Sequence, residues 1–210
     1  MSIENEKMVK ELIEGGWLKT KRIINAFLKI KREDFLPEDL KHLAYLNEAL
    51  PIGYGQTISQ PLVVAFMLEK LDPRPGEKIL DIGAGSGWTS ALLAEIVGEK
   101  GKVIAIEIIP ELVEFGKKNA SKYNFIEKGR VKFICGDGTK GYAQDAPYDK
   151  ILCSASAKEV PNAWKEQLRI GGKIITPIKN SIVELTKIDE KEFQTLEYPG
   201  FVFVPLISKE

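Results

Sequence analysis

The residues best suited to chemistry lie in the run Asp81-Ile82-Gly83-Ala84-Gly85-Ser86-Gly87-Trp88. Glycines let a backbone turn sharply and approach a ligand more closely than side chains would permit. The run follows a short apolar segment, Lys78–Ile82, and opens an apolar helical pattern, Trp88–Val97. That is the context in which such a loop holds a nucleotide-like molecule. The dinucleotide fingerprint requires a further glycine three residues past its second, where Trp88 stands, so dinucleotide binding is disfavoured. Glu107 ends the next apolar run, about twenty residues on, where a carboxylate meets ribose hydroxyls. Gly136-Asp137-Gly138 follows a third run and offers Asp137 to an exocyclic amine such as that of adenine. Each signal has a plain alternative: a tight turn for the glycines, a surface carboxylate for Glu107, a type I or II turn for Asp137. Together, in this order, they describe a nucleoside site. With no phosphate-binding lysine in the loop, they suit a cationic nucleoside without phosphates.

A second candidate is Ala49–Pro61, ALPIGYGQTISQP. Pro51, Gly53, Gly55 and Pro61 oppose regular structure, yet the segment is polar and aromatic rather than linker-like, so it reads as a shaped loop. Ser59 has two readings here. Its hydroxyl can hydrogen-bond a ligand, with Thr57 sharing that work, or it can cap the helix that starts near Gln60-Pro61.

These residues need a scaffold. Helical spacing appears at Met8, Val9, Leu12 and Ile13, and again at Ile23, Ile24, Phe27, Leu28 and Ile30, with Gly15-Gly16 between. A third helix, from about Gln60 through Leu71, ends at Asp72-Pro73-Arg74-Pro75-Gly76. Beyond it, strands over Lys78–Ile82, Lys102–Glu107, Val131–Cys135 and Lys150–Cys153 alternate with helices over Trp88–Val97 and Pro110–Tyr123. Such alternation means an α/β fold with a mostly parallel, twisted sheet flanked by helices. A helix near Asn162–Leu168 precedes strands at Lys173–Pro177, Ser181–Ile188 and Gly200–Leu206, whose hairpin connections make the sheet mixed at one edge. Residues 1–60 then form N-terminal helices and a substrate loop, and 61–210 the nucleoside-binding core of a single domain.

Composition narrows the classes. Thirty basic residues balance 30 acidic ones in a chain of 210, 44% of it hydrophobic. A real core is affordable, and no global field draws the chain to nucleic acid. The basic residues near the second helix, including Arg22, Lys29 and Lys31, read as a solvated face. No apolar run approaches a membrane span, and MSIENEKMVK has no signal-like core, so a cytoplasmic monomer is expected. One histidine, His42, and two cysteines exclude common zinc patterns, and no metal is expected. Cys135 and Cys153 end strands expected to be non-adjacent, and read as reduced, buried thiols near the pocket rim.

The run Lys31–Pro61, KREDFLPEDLKHLAYLNEALPIGYGQTISQP, resembles the N-terminal signature of protein-L-isoaspartate O-methyltransferases. LDIGAGSGW, ALLAEIVG, the glycines around Asp137, Ala146–Asp149, Val160-Pro161, EQLRIGGKIITP and FVPL at Phe203–Leu206 fit that family in order and approximate spacing. The resemblance implies a Rossmann-like methyltransferase. Its cofactor would be S-adenosyl-L-methionine and its acceptor the displaced carboxylate of isoaspartyl residues in damaged peptides or proteins, with repair through a succinimide. Carried over residue by residue, it assigns Gln56, Thr57, Ile58 and Ser59 to the layer between cofactor and substrate. Gly83, Ala84, Gly85, Ser86 and Gly87 go to the cofactor's amino acid part, Glu107 and Ile108 to ribose and adenine, and Asp137 and Gly138 to the adenine edge. Ser59 and Thr57 become the residues at the acceptor. Two departures stand out. Cys153-Ser154-Ala155-Ser156-Ala157 replaces the Thr-Ala-Ala type sequence common after that strand, and Lys179 stands where a glycine is often found. Transfer to another acceptor such as tRNA, or cofactor binding without catalysis, are the alternative readings.

Overall fold

The computed structural model describes residues 3–208. Helices α1 (Ile3–Glu14) and α2 (Lys21–Lys29) open the chain, followed by two short 3-10 turns at Arg32–Phe35 and Glu38–Leu43. Asn5 of α1 donates to the carbonyls of Phe27 and Leu28 at 3.1 and 3.0 Å, occupying acceptors that the end of α2 leaves open. His42 lies exposed in the second 3-10 turn. On α2, Arg22 pairs with Asp72, and Lys29 with Glu95 at 2.7 Å, so part of the basic face is already matched by carboxylates.

The expected shaped loop is a β-hairpin, β1 (Leu50–Gly53) with β2 (Gln56–Ile58), which forms a separate two-stranded sheet. The glycines that argued against a regular element instead make its turn: Gly53, Tyr54 and Gly55 all take positive φ, at 90°, 55° and 70°. Leu50, Ile52 and Ile58 point inward and peg the hairpin to the core. Helix α3 (Pro61–Leu71) follows, with proline in its first turn and Asp72 left-handed at its end.

Strands β3 (Lys78–Ile82), β4 (Lys102–Glu107), β5 (Val131–Cys135), β6 (Tyr148–Cys153), β7 (Leu168–Ile178), β8 (Ser181–Lys187) and β9 (Phe193–Pro199) form one sheet in the order β5-β4-β3-β6-β7-β8-β9. The first five in that order are parallel; β7-β8 and β8-β9 are antiparallel. Helices α4 (Trp88–Val97), α5 (Pro110–Ser121) and α6 (Asn162–Gln167) make the crossovers. Alternate strand residues feed opposite faces. Ile79, Val103, Ala105 and Leu152 join α1 to α5 in one core cluster, while Leu80, Ile82, Ile104, Ile106 and Ile151 meet Trp164 and Leu168 in the other. The chain runs outward through β4 and β5, then returns to the far side of β3 at β6. That reversal opens a crevice at the carboxyl ends of the strands, where ligands bind in open α/β sheets.

Three expectations change. The closing strand is Phe193–Pro199, a mostly exposed edge, while Gly200–Leu206 lies outside the ladder, held by the Gly200 and Phe201 N–H groups donating to the Asn180 carbonyl and by an isolated bridge between Pro205 and Ser156. Strand β7 starts at Leu168 and runs through Gly171-Gly172. Cys135 is exposed, because β5 is the other edge of the sheet; Cys153 is buried, and both are free.

Candidate active site

At the carboxyl end of β3 the backbone leaves the sheet as the glycine loop. Gly83 and Ala84 both donate to the Ile106 carbonyl at 2.9 and 3.0 Å, Ser86 gives its carbonyl to Asn119 of α5 at 3.1 Å, and Gly87 begins α4 with φ 84°. The loop is therefore held from β4, α5 and α4 at once. Beneath it Asp81 is fully buried, with one carboxylate oxygen taking the hydroxyls of Thr89 and Ser90 at 2.8 and 2.6 Å. Burial outweighs those donors and pushes its pKa up to about 6.

The loop floors a cleft at the carboxyl ends of the strands. Gln56, Thr57, Ile58 and Ser59 of the hairpin line one side, and Gly83, Ala84, Gly85, Ser86, Trp88 and Thr89 the floor. Glu107, Ile108 and Ile109 continue from β4, with Gly136 and Gly138 after β5. Glu107 is nearly buried and held by three backbone N–H groups: one oxygen accepts from Gly85 at 2.9 Å, the other from Ile108 and Ile109 at 2.8 and 3.0 Å. Among the described residues no lysine, arginine or histidine lines the cleft, and Glu107 is its only charge. This donor set fits S-adenosyl-L-methionine: a fixed carboxylate for ribose hydroxyls, close backbone for the amino acid part, and no cation to oppose a sulfonium.

Two expected contacts sit differently. Asp137 does not line the cleft: one carboxylate oxygen takes the N–H and hydroxyl of Thr139 at 2.9 and 2.7 Å, capping the 3-10 turn Gly138–Lys140. Gly138 does line it, because a Cβ there would lie 2.5 Å from Ile82 Cγ2, and its carbonyl is fixed by Trp164 Nε1 at 2.8 Å. Gly87 lies below the cleft against Gly116 and Phe133.

The structure adds residues that sequence reasoning left out. Ser154 and Ala155 follow β6, and Val204, Pro205, Leu206 and Ile207 close the remaining wall. Ser154 directly follows the carboxyl end of β6, a position from which the crevice rule could have found it. The C-terminal wall carried only the signal of apolar residues outside any ladder. Ser156 N–H donates to the Val204 carbonyl and Leu206 N–H to the Ser156 carbonyl, each at 2.8 Å, tying that wall to β6.

A second hollow of about 720 Å³ adjoins the first and is lined by Ala49, Gln60, Val63, Val202 and Phe203 among others. Thr57, Ser59, Ser154 and Val204 line both hollows. Ser59 is not the cap of α3: Gln60 holds the N-cap position, and the first-turn N–H of Leu62 is taken by Asn47 Oδ1 at 3.0 Å.

The family model for protein-L-isoaspartate(D-aspartate) O-methyltransferase matches residues 3–210. The protein-L-isoaspartate O-methyltransferase of Methanopyrus kandleri is 44% identical over 98% of this chain and 92% of its own length. That of Ignicoccus hospitalis is 40% identical across the whole of both chains. Among solved structures, the Plasmodium falciparum PCMT crystallised with S-adenosyl-L-homocysteine superposes with a TM-score of 0.88 over 98% of this chain and 99% of that one, at 24% identity, which establishes the shared fold. By sequence along its whole length, then, the chain belongs to the protein-L-isoaspartate(D-aspartate) O-methyltransferase family.

Proposed function

We propose that this protein transfers a methyl group from S-adenosyl-L-methionine to the carboxylate of isoaspartyl residues, the first step of a repair that proceeds through a succinimide. The observation that carries the reading is the set of residues common to both hollows, since a transfer reaction needs one wall that faces donor and acceptor together. When bound, the cofactor supplies an electrophilic methyl group on a cationic sulfur. Glu107 and the glycine loop hold the nucleoside end. Thr57 on the hairpin strand and Ser59 just after it present the acceptor. A carboxylate is ionised at neutral pH, so no general base is needed, in keeping with a lining that has no histidine. What the chain must provide is alignment and exclusion of water from a step that joins opposite charges. Ser59, and Thr57 beside it, donate hydrogen bonds that hold one acceptor oxygen while the other attacks. Val204 and its neighbours shield the path.

No described helix is long and apolar enough to cross a membrane. Balanced charge and two free cysteines favour a cytoplasmic enzyme, and the pairing of Arg22 and Lys29 with carboxylates gives little support to a tRNA acceptor. The test is a pair of peptides that differ only in an isoaspartyl or a normal aspartyl linkage. Base-labile methyl label that releases methanol is expected on the first and not the second. Equal labelling would refute the reading, and cofactor binding without turnover on either peptide would favour a non-catalytic protein.

A further inference from the structure

The chemistry above makes no use of Arg32, a cation with none of its surface in solvent. No acidic neighbour offsets its burial, which draws its pKa down to about 10 and leaves it protonated at neutral pH. Burying such a charge is costly unless its donors are satisfied. Four carbonyls satisfy most of them. One terminal nitrogen donates to Ala44 at 2.6 Å and Leu46 at 3.4 Å, and the other to Glu48 at 2.8 Å and Ser59 at 3.1 Å. The guanidinium also lies over the ring of Trp88, 5.4 Å from its centroid.

A loop clamp could be built from any carbonyls, but these contacts reach the two sides of the transfer path. Ser59 lines both hollows, and Trp88 lines the cofactor cleft at the start of α4. We propose that Arg32 is a positioning residue for methyl transfer, fixing the Ser59 main chain against Trp88 and so setting where the Ser59 hydroxyl stands above the glycine loop. The inference rests on the reading of Ser59 as the residue that orients the acceptor. Lysine could not replace it, because a single ammonium has neither the planar face for Trp88 nor the fork that spans Glu48 and Ser59.

The test uses the full chain as wild type, Arg32→Lys, Ser59→Ala and the double variant. Melting temperature, dissociation constant for S-adenosyl-L-homocysteine, and kcat on an isoaspartyl peptide are measured for each. Arg32→Lys is expected to lower kcat about tenfold while cofactor affinity stays within about twofold, since misplacement of reacting groups falls on the chemical step. In the Ser59→Ala background that loss should shrink below about twofold, because the arginine acts through the serine. Losses that multiply in the double variant would overturn the proposal, as would weakened cofactor binding with kcat kept. Ser59→Ala alone tests the underlying reading: unchanged kcat there removes Ser59 from the acceptor site and the proposal with it. Should Arg32→Lys not fold, the same cycle with Trp88→Leu, which keeps the carbonyl fork and removes the ring, is expected to show the same non-additivity, and multiplicative losses there overturn the proposal equally.

Discussion

The Glu107 carboxylate accepts the Gly85 N–H at 2.9 Å, joining the end of β4 to the centre of the glycine loop. Its other oxygen is shared by Ile108 and Ile109, so both oxygens are already oriented before any hydroxyl arrives. Glu107→Gln must turn an amide NH2 towards one of these donors and removes the charge. The expected result is a dissociation constant for S-adenosyl-L-homocysteine raised tenfold or more, about 1.4 kcal/mol, by calorimetry. Unchanged affinity would mean that the carboxylate serves only the fold.

Gly83 and Gly87 both take positive φ, at 70° and 84°, but in different surroundings. A Cβ on Gly83 would meet nothing nearer than Ala155 Cβ at 3.6 Å, in the cleft itself, whereas one on Gly87 would press on the Gly116 carbonyl at 3.0 Å and Phe133 at 3.1 Å. Gly87→Ala is therefore expected to lose about 2 kcal/mol or more of stability, and Gly83→Ala about 1 kcal/mol, with cofactor affinity the main casualty in the second. Denaturant melts beside binding measurements separate the two. Equal destabilisation would contradict the packing described.

Asp81 gives a pH dependence of opposite sign to that of a salt-bridged carboxylate. Its pKa is about 6 in the fold against an ordinary 3.8, so between those values the native state holds a proton that the unfolded chain has released. Its contribution to stability falls as pH rises through that window, by roughly 3 kcal/mol in all. Relative to Asp81→Asn, the wild type should lose ground between pH 4 and pH 7 and hold steady above. A gap between the two that does not move with pH would show that Asp81 keeps an ordinary pKa.

Lys179 occupies the first turn position between β7 and β8 with φ 54°, a left-handed conformation that costs a side-chain-bearing residue about 1 kcal/mol. Lys179→Gly should raise stability by about 0.5 kcal/mol or leave it unchanged, without affecting turnover. A clear loss in thermal unfolding would mean that the lysine side chain contributes more than the turn costs.

The glycine-loop side of the cleft was legible in the sequence because it depends on backbone geometry, which glycines and strand ends announce. Strand β3, helix α4 and strand β4 lie at their expected residues, and Gly83 to Ser86 and Glu107 line one cleft. Less legible were features decided by tertiary pairing. The glycines at 53 and 55 suggested loop, yet Leu50, Ile52 and Ile58 find a core to peg into, and a hairpin forms. Strand β9 is mostly exposed, with Phe193 and Tyr198 alone packed on the two cores, and it forms where β8 offers an open edge. Asp137 went to its own turn because the Thr139 donors lie two residues away. Ser154 and the 204–207 wall come together through the Ser156–Pro205 bridge just after β6, a pairing that no local pattern encodes. For Ser59 the residue alone left cap and site open, and the family resemblance supplied the direction for it and for Gln56, Thr57 and Ile58.

The placement of Val204 to Ile207 against the glycine loop also sets a timetable during synthesis. The ribosome delivers the floor of the cleft early and this wall only after every strand of the large sheet has emerged. A nascent chain halted before residue 204 would have the loop and Glu107 but a cleft missing one wall, and would hold its nucleoside weakly while still on the ribosome.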